Sequence, residues 1–121
     1  MADDLTEKII GAAVEVHRLL GPGLLESIYE EAICHEFNLR QIRYTRQVPV
    51  DMTYKGVVIK GQVLDLLVND QVVVELKSVS RTPEIAAAQI LSYLRATNLK
   101  RGLIINFGLP RLVDGVQRFS L

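Results

Sequence analysis

Apolar side chains recur at helical spacing through the first third of the chain and predict two amphipathic helices. The first helix is expected from Leu5 to Leu20, because Gly21-Pro22-Gly23 then interrupts the pattern. The second is expected from Leu24 to Leu39 and should end near Asn38. Each helix should therefore pack one apolar face against a core.

The hydrophobic period changes to two from Gln47 onward, which predicts β-strands. The first strand alternates apolar and polar residues as far as Tyr54, and Pro49 indicates a position at the sheet edge. Lys55-Gly56 turns the chain into a second and then a third strand, expected at Val57–Val68 and Val72–Val79. These three strands should form an antiparallel meander.

A third helix and a fourth strand are expected in the last third of the chain. Thr82-Pro83-Glu84 has the composition of a helix start, and the helix should run through Arg95. Gly102–Phe107 is a short apolar run typical of a buried strand. The element order predicts an α/β sandwich in one domain, residues 1–121, with a mixed four-stranded sheet: a meander of three strands, a crossover helix and a fourth strand, flanked by helices.

Three ionisable residues interrupt the two most apolar strands: Asp65, Glu75 and Lys77. Burying such groups among valines costs several kcal/mol unless each finds a partner or a metal ion. Glu75 and Lys77 are two residues apart and must point to the same face of their strand. The pattern predicts a cation site, and an ion pair buried in the sheet is the alternative.

The length of the hairpin loop decides between these interpretations. A loop of Asn69-Asp70-Gln71 pairs Val68 with Val72 and places Asp65 directly opposite Glu75, whereas a two-residue loop turns Asp65 to the other face. A pair of carboxylates supplies only oxygen ligands, which select Mg²⁺ or Mn²⁺ and imply a phosphate ester as substrate. Lys77 would then orient or deprotonate the attacking water.

Composition limits the remaining possibilities. The 121 residues are 49% hydrophobic and 23% charged, as in one ordinary globular domain. The formal net charge is zero, which argues against gripping nucleic acid by bulk charge alone, although local basic patches remain. No apolar run approaches the roughly 20 residues of a membrane span, and the acidic start Met1-Ala2-Asp3-Asp4 is unlike a signal peptide, so we expect a cytoplasmic protein.

Two isolated residues have ordinary structural interpretations. Cys34 is the one cysteine of the chain and is expected to be a small helix-packing residue. His17 lies on the apolar face of the first helix and is expected to be a hydrogen-bonded core histidine rather than a general base.

The order of these motifs resembles the PD-(D/E)XK nuclease superfamily, in which one strand carries Asp and the next carries Glu-x-Lys. Within that superfamily, Gly23-Leu24-Leu25-Glu26-Ser27-Ile28-Tyr29 is similar to the signature of the GxxExxY family. The likeness extends from about Thr6 to Phe119 and implies a restriction-endonuclease-like fold.

The resemblance also implies roles for further residues. Glu26 would join Asp65 and Glu75 in the acidic metal site, with the Leu76 carbonyl as another ligand. The substrate-binding residues implied are Tyr29, Gln89 and Tyr93. Gln62 departs from the aromatic residue that many relatives carry there.

The function expected is that of a Mg²⁺-dependent nuclease acting on nucleic acid, with DNA favoured over RNA. The alternative is a catalytically silent nuclease-fold module that binds nucleic acid or a partner protein. A domain this small should need a second copy to span a duplex, so a homodimer is expected. Its candidate interfaces are the first helix and the tail Leu109–Leu121, although the tail could equally fold back on its own core.

Overall fold

The structure, a computed structural model, describes residues 3–121; Met1 and Ala2, which belong to the acidic N-terminal stretch, lie outside the described residues. The helices are α1 (Asp4–Leu20), α2 (Glu26–Leu39) and α3 (Ile85–Thr97). A 3-10 helix covers Leu112–Gly115. The strands are β1 (Tyr44–Tyr54), β2 (Val57–Val68), β3 (Val72–Lys77), β4 (Arg101–Asn106) and β5 (Val116–Ser120).

The sheet is mixed and its strands follow the order of the sequence, β1-β2-β3-β4-β5. Only β3 and β4 are parallel, because α3 carries the chain across between them. The four predicted strands are present, but the predicted number was wrong by one. The fifth strand has only five residues, too few for an alternating pattern to stand out in the sequence.

The C-terminal tail folds back on its own core. Its strand β5 pairs with β4, Leu112 is buried, and Phe119 packs beside the α3 face of the sheet. The tail therefore covers its own sheet, the second of the two alternatives expected for it.

Helices cover both faces of the sheet and create two apolar layers. One layer lies between the sheet and the α1–α2 pair, and its buried side chains include Tyr29, Phe37, Leu66, Leu76, Leu103 and Phe107. The other layer lies under α3 and includes Leu64, Val73, Ile90, Leu94 and Ile104. The central strands β3 and β4 are consequently buried on both faces, as their continuous apolar runs predict.

Several element boundaries differ from the predicted ones; β3, for example, ends at Lys77 and not at Val79, and two of the differences have clear physical reasons. The strand β1 begins at Tyr44, three residues before the predicted start, and the left-handed backbone of Gln47 (φ 51°) interrupts the alternation within it. The helix α3 begins at Ile85, after the predicted Thr82-Pro83-Glu84 start. No side chain caps α3, and the Thr82 hydroxyl instead accepts a hydrogen bond from Asn106 Nδ2 at 3.0 Å.

The strands β1 and β2 extend past the other three. Their mutual pairing runs from Tyr44–Val68 to Tyr54–Val57, whereas β2 pairs with β3 only over Leu66–Val68. Residues 51–63, here called the β1–β2 arm, thus form a two-stranded ribbon with β1 at the sheet edge, as Pro49 indicated.

Residues 3–121 include no helix with the length and apolarity that a bilayer crossing requires.

Candidate active site

The hairpin between β2 and β3 has the register on which the site depends. Its loop is Asn69-Asp70-Gln71, and the pairs Val68–Val72, Leu67–Val73 and Leu66–Val74 follow. The three-residue loop predicted from the sequence is therefore confirmed. Asp65 and Glu75 occupy the next position along the hairpin, where the backbone ladder stops.

Side chains replace the backbone ladder at that position. The backbone N–H of Asp65 donates to Glu75 Oε2 at 2.7 Å, and the backbone N–H of Leu76 donates to Asp65 Oδ2 at 2.8 Å. Each carboxylate thus accepts a hydrogen bond from the opposite strand through one oxygen. The second oxygen of each carboxyl group is left as a potential ligand.

Burial makes this pair costly in its ionised form. Glu75 is only 6% exposed, and burial together with the Asp65 charge raises its pKa to about 7. Burial also raises the pKa of Asp65, against the opposing effect of the hydrogen bond from Leu76. A cation between the two carboxylates would offset both the desolvation and the mutual repulsion.

Lys77 ends β3 on the same side of the sheet as Glu75. Burial raises the pKa values of Glu26, Asp65 and Glu75, and the Lys77 charge opposes this rise, so the ammonium lies within electrostatic range of all three. It forms no salt bridge with Asp65 or Glu75. The alternative of a closed ion pair in the sheet is therefore not what the structure shows.

Glu26 is the first residue of α2 and is exposed, yet it interacts with the site. Partial burial and the Asp65 charge raise its pKa, and Lys77 opposes both effects. Nowhere in the described residues are three His, Cys, Asp or Glu side chains gathered closely enough to hold a metal ion together. Glu26 is thus near the carboxylate pair without completing a triad.

The comparison with protein families identifies the superfamily to which the chain belongs. A family model described as the PD-(D/E)XK nuclease superfamily matches residues 3–119. The chain belongs to the PD-(D/E)XK nuclease superfamily. Nucleases of this superfamily generally use divalent metals, and the donors at Asp65 and Glu75 fit such an ion because they are hard, buried and in excess of nearby positive charge.

Other comparisons add little. No curated protein matches the chain. One similar solved structure is the crystal structure of SSO0001, with 14% sequence identity, a TM-score of 0.46, and coverage of 96% of this chain and 76% of that one.

Tyr29 of this superfamily member is a core residue, which corrects its expected role in substrate binding. Its side chain is fully buried and its ring stacks on Phe107 at 4.4 Å between centroids. The hydroxyl donates to Gly21 O at 2.5 Å and accepts from Leu24 N at 3.2 Å. Tyr29 therefore clamps the α1–α2 loop, and no part of it is available to a substrate.

Gln89 and Tyr93, also expected at the substrate, are adjacent on α3. Gln89 is exposed and its Nε2 donates to the Tyr93 hydroxyl at 3.2 Å, and that hydroxyl lies 3.4 Å from Val63 O. Burial and the charges of Glu75 and Asp65 raise the pKa of Tyr93. Tyr93 thus lies beside the carboxylate pair and ties α3 to the β1–β2 arm.

The structure adds two residues that sequence reasoning missed. Glu30 follows Glu26 by one helical turn, and its charge raises the pKa values of Glu26 and Asp65. Gln47 of β1 donates from Nε2 to Glu30 Oε1 at 2.8 Å. The i, i+4 spacing of Glu26 and Glu30 was the available signal, whereas the position of Gln47 depends on strand pairing.

A buried amide fixes the loops at this end of the sheet. Asn106 Oδ1 accepts hydrogen bonds from the backbone N–H groups of Val79 and Gly108, at 3.1 and 2.9 Å. The N–H of Phe107 donates to Lys77 O at 2.8 Å. These bonds hold the backbone on which Lys77 is mounted.

His17 and Cys34 are as expected from the sequence. His17 is buried, and its Nε2 lies 2.9 Å from Leu109 O, which makes it a hydrogen-bonded core histidine. Cys34 is buried in α2, where burial raises its pKa to about 11 and so disfavours the reactive thiolate.

Proposed function

We propose that this protein is a Mg²⁺- or Mn²⁺-dependent nuclease that hydrolyses phosphodiester bonds in nucleic acid, with DNA favoured over RNA. The observation that carries the proposal is the interlocked Asp65–Glu75 pair beside an unpaired Lys77 at the end of β3. Membership of a superfamily of nucleases supports the proposal, because two carboxylates and an ammonium group suit metal-assisted hydrolysis of a phosphate ester.

Each residue has a distinct role in the proposal. Asp65 and Glu75 hold the metal ion, the Leu76 carbonyl is a further ligand, and Glu26 adds negative charge at the rim. A bound divalent cation would supply an acidified water and neutralise charge on the scissile phosphate. Lys77 orients that water and stabilises the charge that develops on the phosphate oxygens.

The exposed end of Gln89 is proposed to contact the substrate backbone. Its amide can both donate and accept, and Tyr93 fixes its position through the 3.2 Å hydrogen bond. Tyr93 itself acts by holding Gln89 and the arm in place, because its own ring is buried.

Membership of the GxxExxY family gives a physical meaning to the Gly23–Tyr29 stretch. Gly23 adopts a φ of 101°, which favours glycine. Glu26 faces the site at the start of α2, and Tyr29 locks the preceding loop to the core. In this proposal Gly23 allows the turn, Glu26 supplies an acidic group at the site, and Tyr29 holds the α1–α2 loop against the core.

We also propose that the protein acts in the cytoplasm as a homodimer. Large apolar side chains remain exposed around the end of α1 and the start of α2: Val14, Leu19, Leu20, Leu24, Leu25 and Ile28. The chain has no net charge to oppose self-association. A second copy on this surface would also bring two sites to one duplex.

One observation favours a silent binding module as the second candidate function. In residues 3–121 the acidic side chains do not form a three-membered metal group, so any ion would rest on two carboxylates. Mg²⁺ is commonly bound by one or two carboxylates with water and substrate oxygens. The silent module is therefore the weaker candidate.

A cleavage panel distinguishes the two candidates. Purified protein is incubated with labelled single- and double-stranded DNA and RNA, with Mg²⁺, Mn²⁺ or EDTA. We expect metal-dependent cleavage that Asp65→Asn and Lys77→Ala abolish, and that the exposed control Lys60→Ala retains. Absence of cleavage on every substrate, together with measurable binding, would establish the silent module instead.

A further inference from the structure

Asp65 lies at an interruption of the sheet on both sides, and the interruption on the β1 side involves Gln47. In the β1–β2 ladder, Arg46 pairs with Leu66 and Val48 pairs with Leu64, so Gln47 stands opposite Asp65 without a ladder pair between them. Gln47 has a φ of 51°, a left-handed conformation that few non-glycine residues adopt. Surrounding contacts must hold it there.

Glu30 supplies those contacts from α2. Its Oε1 accepts from Gln47 Nε2 at 2.8 Å, and its Oε2 accepts from Arg46 Nε and Nη2 at 3.0 and 2.8 Å. The Glu30 side chain is only 13% exposed. One largely buried carboxylate therefore fixes two successive residues of β1.

The Gln47 amide has a second N–H that Glu30 does not use. Burial raises the pKa of Asp65 and the Glu30 charge adds to the rise, whereas a hydrogen bond from the Gln47 side chain opposes it, so both side chains act on this carboxylate. The left-handed backbone, the Glu30 contact and the register thus place an amide donor beside Asp65.

We propose that Gln47 is a positioning residue, whose side-chain amide is fixed by Glu30 and orients the Asp65 carboxylate toward Glu75. The consequence for metal binding rests on the proposed function, whereas the orientation of Asp65 does not. The simpler alternative is that Glu30 serves only as a salt-bridge partner of Arg46 and ties α2 to β1.

A double-mutant cycle in EDTA tests the positioning without metal or substrate. Gln47→Gly removes the amide while glycine adopts the same backbone conformation without strain. We expect the effects of Gln47→Gly and Asp65→Ala on the unfolding equilibrium constant to be coupled by about threefold or more. The control Thr45→Gly, on the same strand, should combine with Asp65→Ala within about twofold. Independent effects for Gln47 would overturn the proposal.

Isothermal titration of Mn²⁺ supplies the second readout. If the wild type binds Mn²⁺, Gln47→Gly should bind it about 10- to 100-fold more weakly, and Thr45→Gly should bind it as the wild type does. Unchanged affinity in Gln47→Gly would overturn the proposal. Coupling to Asp65 in a wild type that binds no Mn²⁺ would support the positioning role and refute the proposed metal-dependent nuclease.

Discussion

Glu75 accepts a hydrogen bond from the backbone N–H of Asp65 at 2.7 Å, at the position where the β2–β3 ladder ends. The Glu75 side chain thereby takes the place of a backbone carbonyl in the sheet. The same bond that shapes the site also joins the two strands, so changes at Glu75 should affect both stability and metal binding.

The metal-free protein should lose stability as the pH rises. The folded-state pKa of Glu75 is raised to about 7 from an ordinary value of 4.5, so the folded state binds this proton more tightly than the unfolded state. Its contribution is fully present below pH 4.5 and is lost as the pH rises through 7, with a fall of up to about 3 kcal/mol in the free energy of unfolding. Urea unfolding in EDTA at pH 5 and pH 8 measures this fall. Glu75→Gln, whose amide oxygen can still accept from Asp65, should remove most of it; an unchanged fall would assign it to other groups.

Divalent metal should raise the melting temperature of the wild type but not that of Asp65→Asn. A ligand stabilises the state that binds it, by about 2.7 kcal/mol at 100 times its dissociation constant, which corresponds to several degrees here. The asparagine can still accept the hydrogen bond from Leu76, so the variant should fold. Thermal melts with Mn²⁺ at pH 8 measure the shift, and Asp51→Asn on the exposed arm is the matched control. Equal shifts in wild type and Asp65→Asn would place the metal elsewhere.

Substitutions at Tyr29 and Glu26 should have different effects, although both residues belong to one signature: the first should lower stability and the second should lower activity. Tyr29→Phe deletes two hydrogen bonds in the α1–α2 loop and should cost about 1–2 kcal/mol of stability, with little loss of activity per folded molecule. Glu26→Gln should lower the activity per folded molecule and leave the stability almost unchanged. Urea unfolding and cleavage rates measured on the same samples check both, with exposed Tyr54→Phe as the control. Greater loss of activity than of stability in Tyr29→Phe would restore a role at the substrate.

The homodimer prediction now rests on the apolar surface around α1 and α2. Light scattering at micromolar concentration should give twice the chain mass of 13.5 kDa. Leu19→Glu and Leu25→Glu, at side chains 67% and 73% exposed, should each yield a monomer because they place charge in the interface. Ile85→Glu, at a side chain 72% exposed on α3, should remain dimeric. A monomeric wild type at all concentrations would contradict the prediction.

The sequence predicted the carboxylate pair well because its geometry is local. Asp65 and Glu75 are separated by one hairpin, so strand alternation and a three-residue loop were enough to place them opposite each other. Gln47 could not be found in this way, since its left-handed backbone interrupts the alternation from which strands are predicted. Tyr29 was misassigned because a helical signature gives spacing but does not say which face packs on Phe107. The strand β5 was missed because it has only five residues and follows a 3-10 helix, not the tight turn that marks a hairpin in a sequence.

At Asp65, β2 lacks a ladder pair with both β1 and β3. Although β2 is one continuous strand, the segments on either side of Asp65 therefore have different neighbours. On the C-terminal side of Asp65, Leu66–Val68 pair with both β1 and β3. On its N-terminal side, the β2 half of the β1–β2 arm pairs only with β1, and the Val63 carbonyl contacts the Tyr93 hydroxyl of α3. The arm forms no backbone pair with β3, so a displacement of the arm relative to the sheet would break no bond of the β2–β3 ladder. The rate of amide hydrogen exchange should therefore change abruptly within β2, being slow at Leu66–Val68 and fast at residues 57–63. The Asp65 carboxylate, proposed to bind the metal, stands at that boundary.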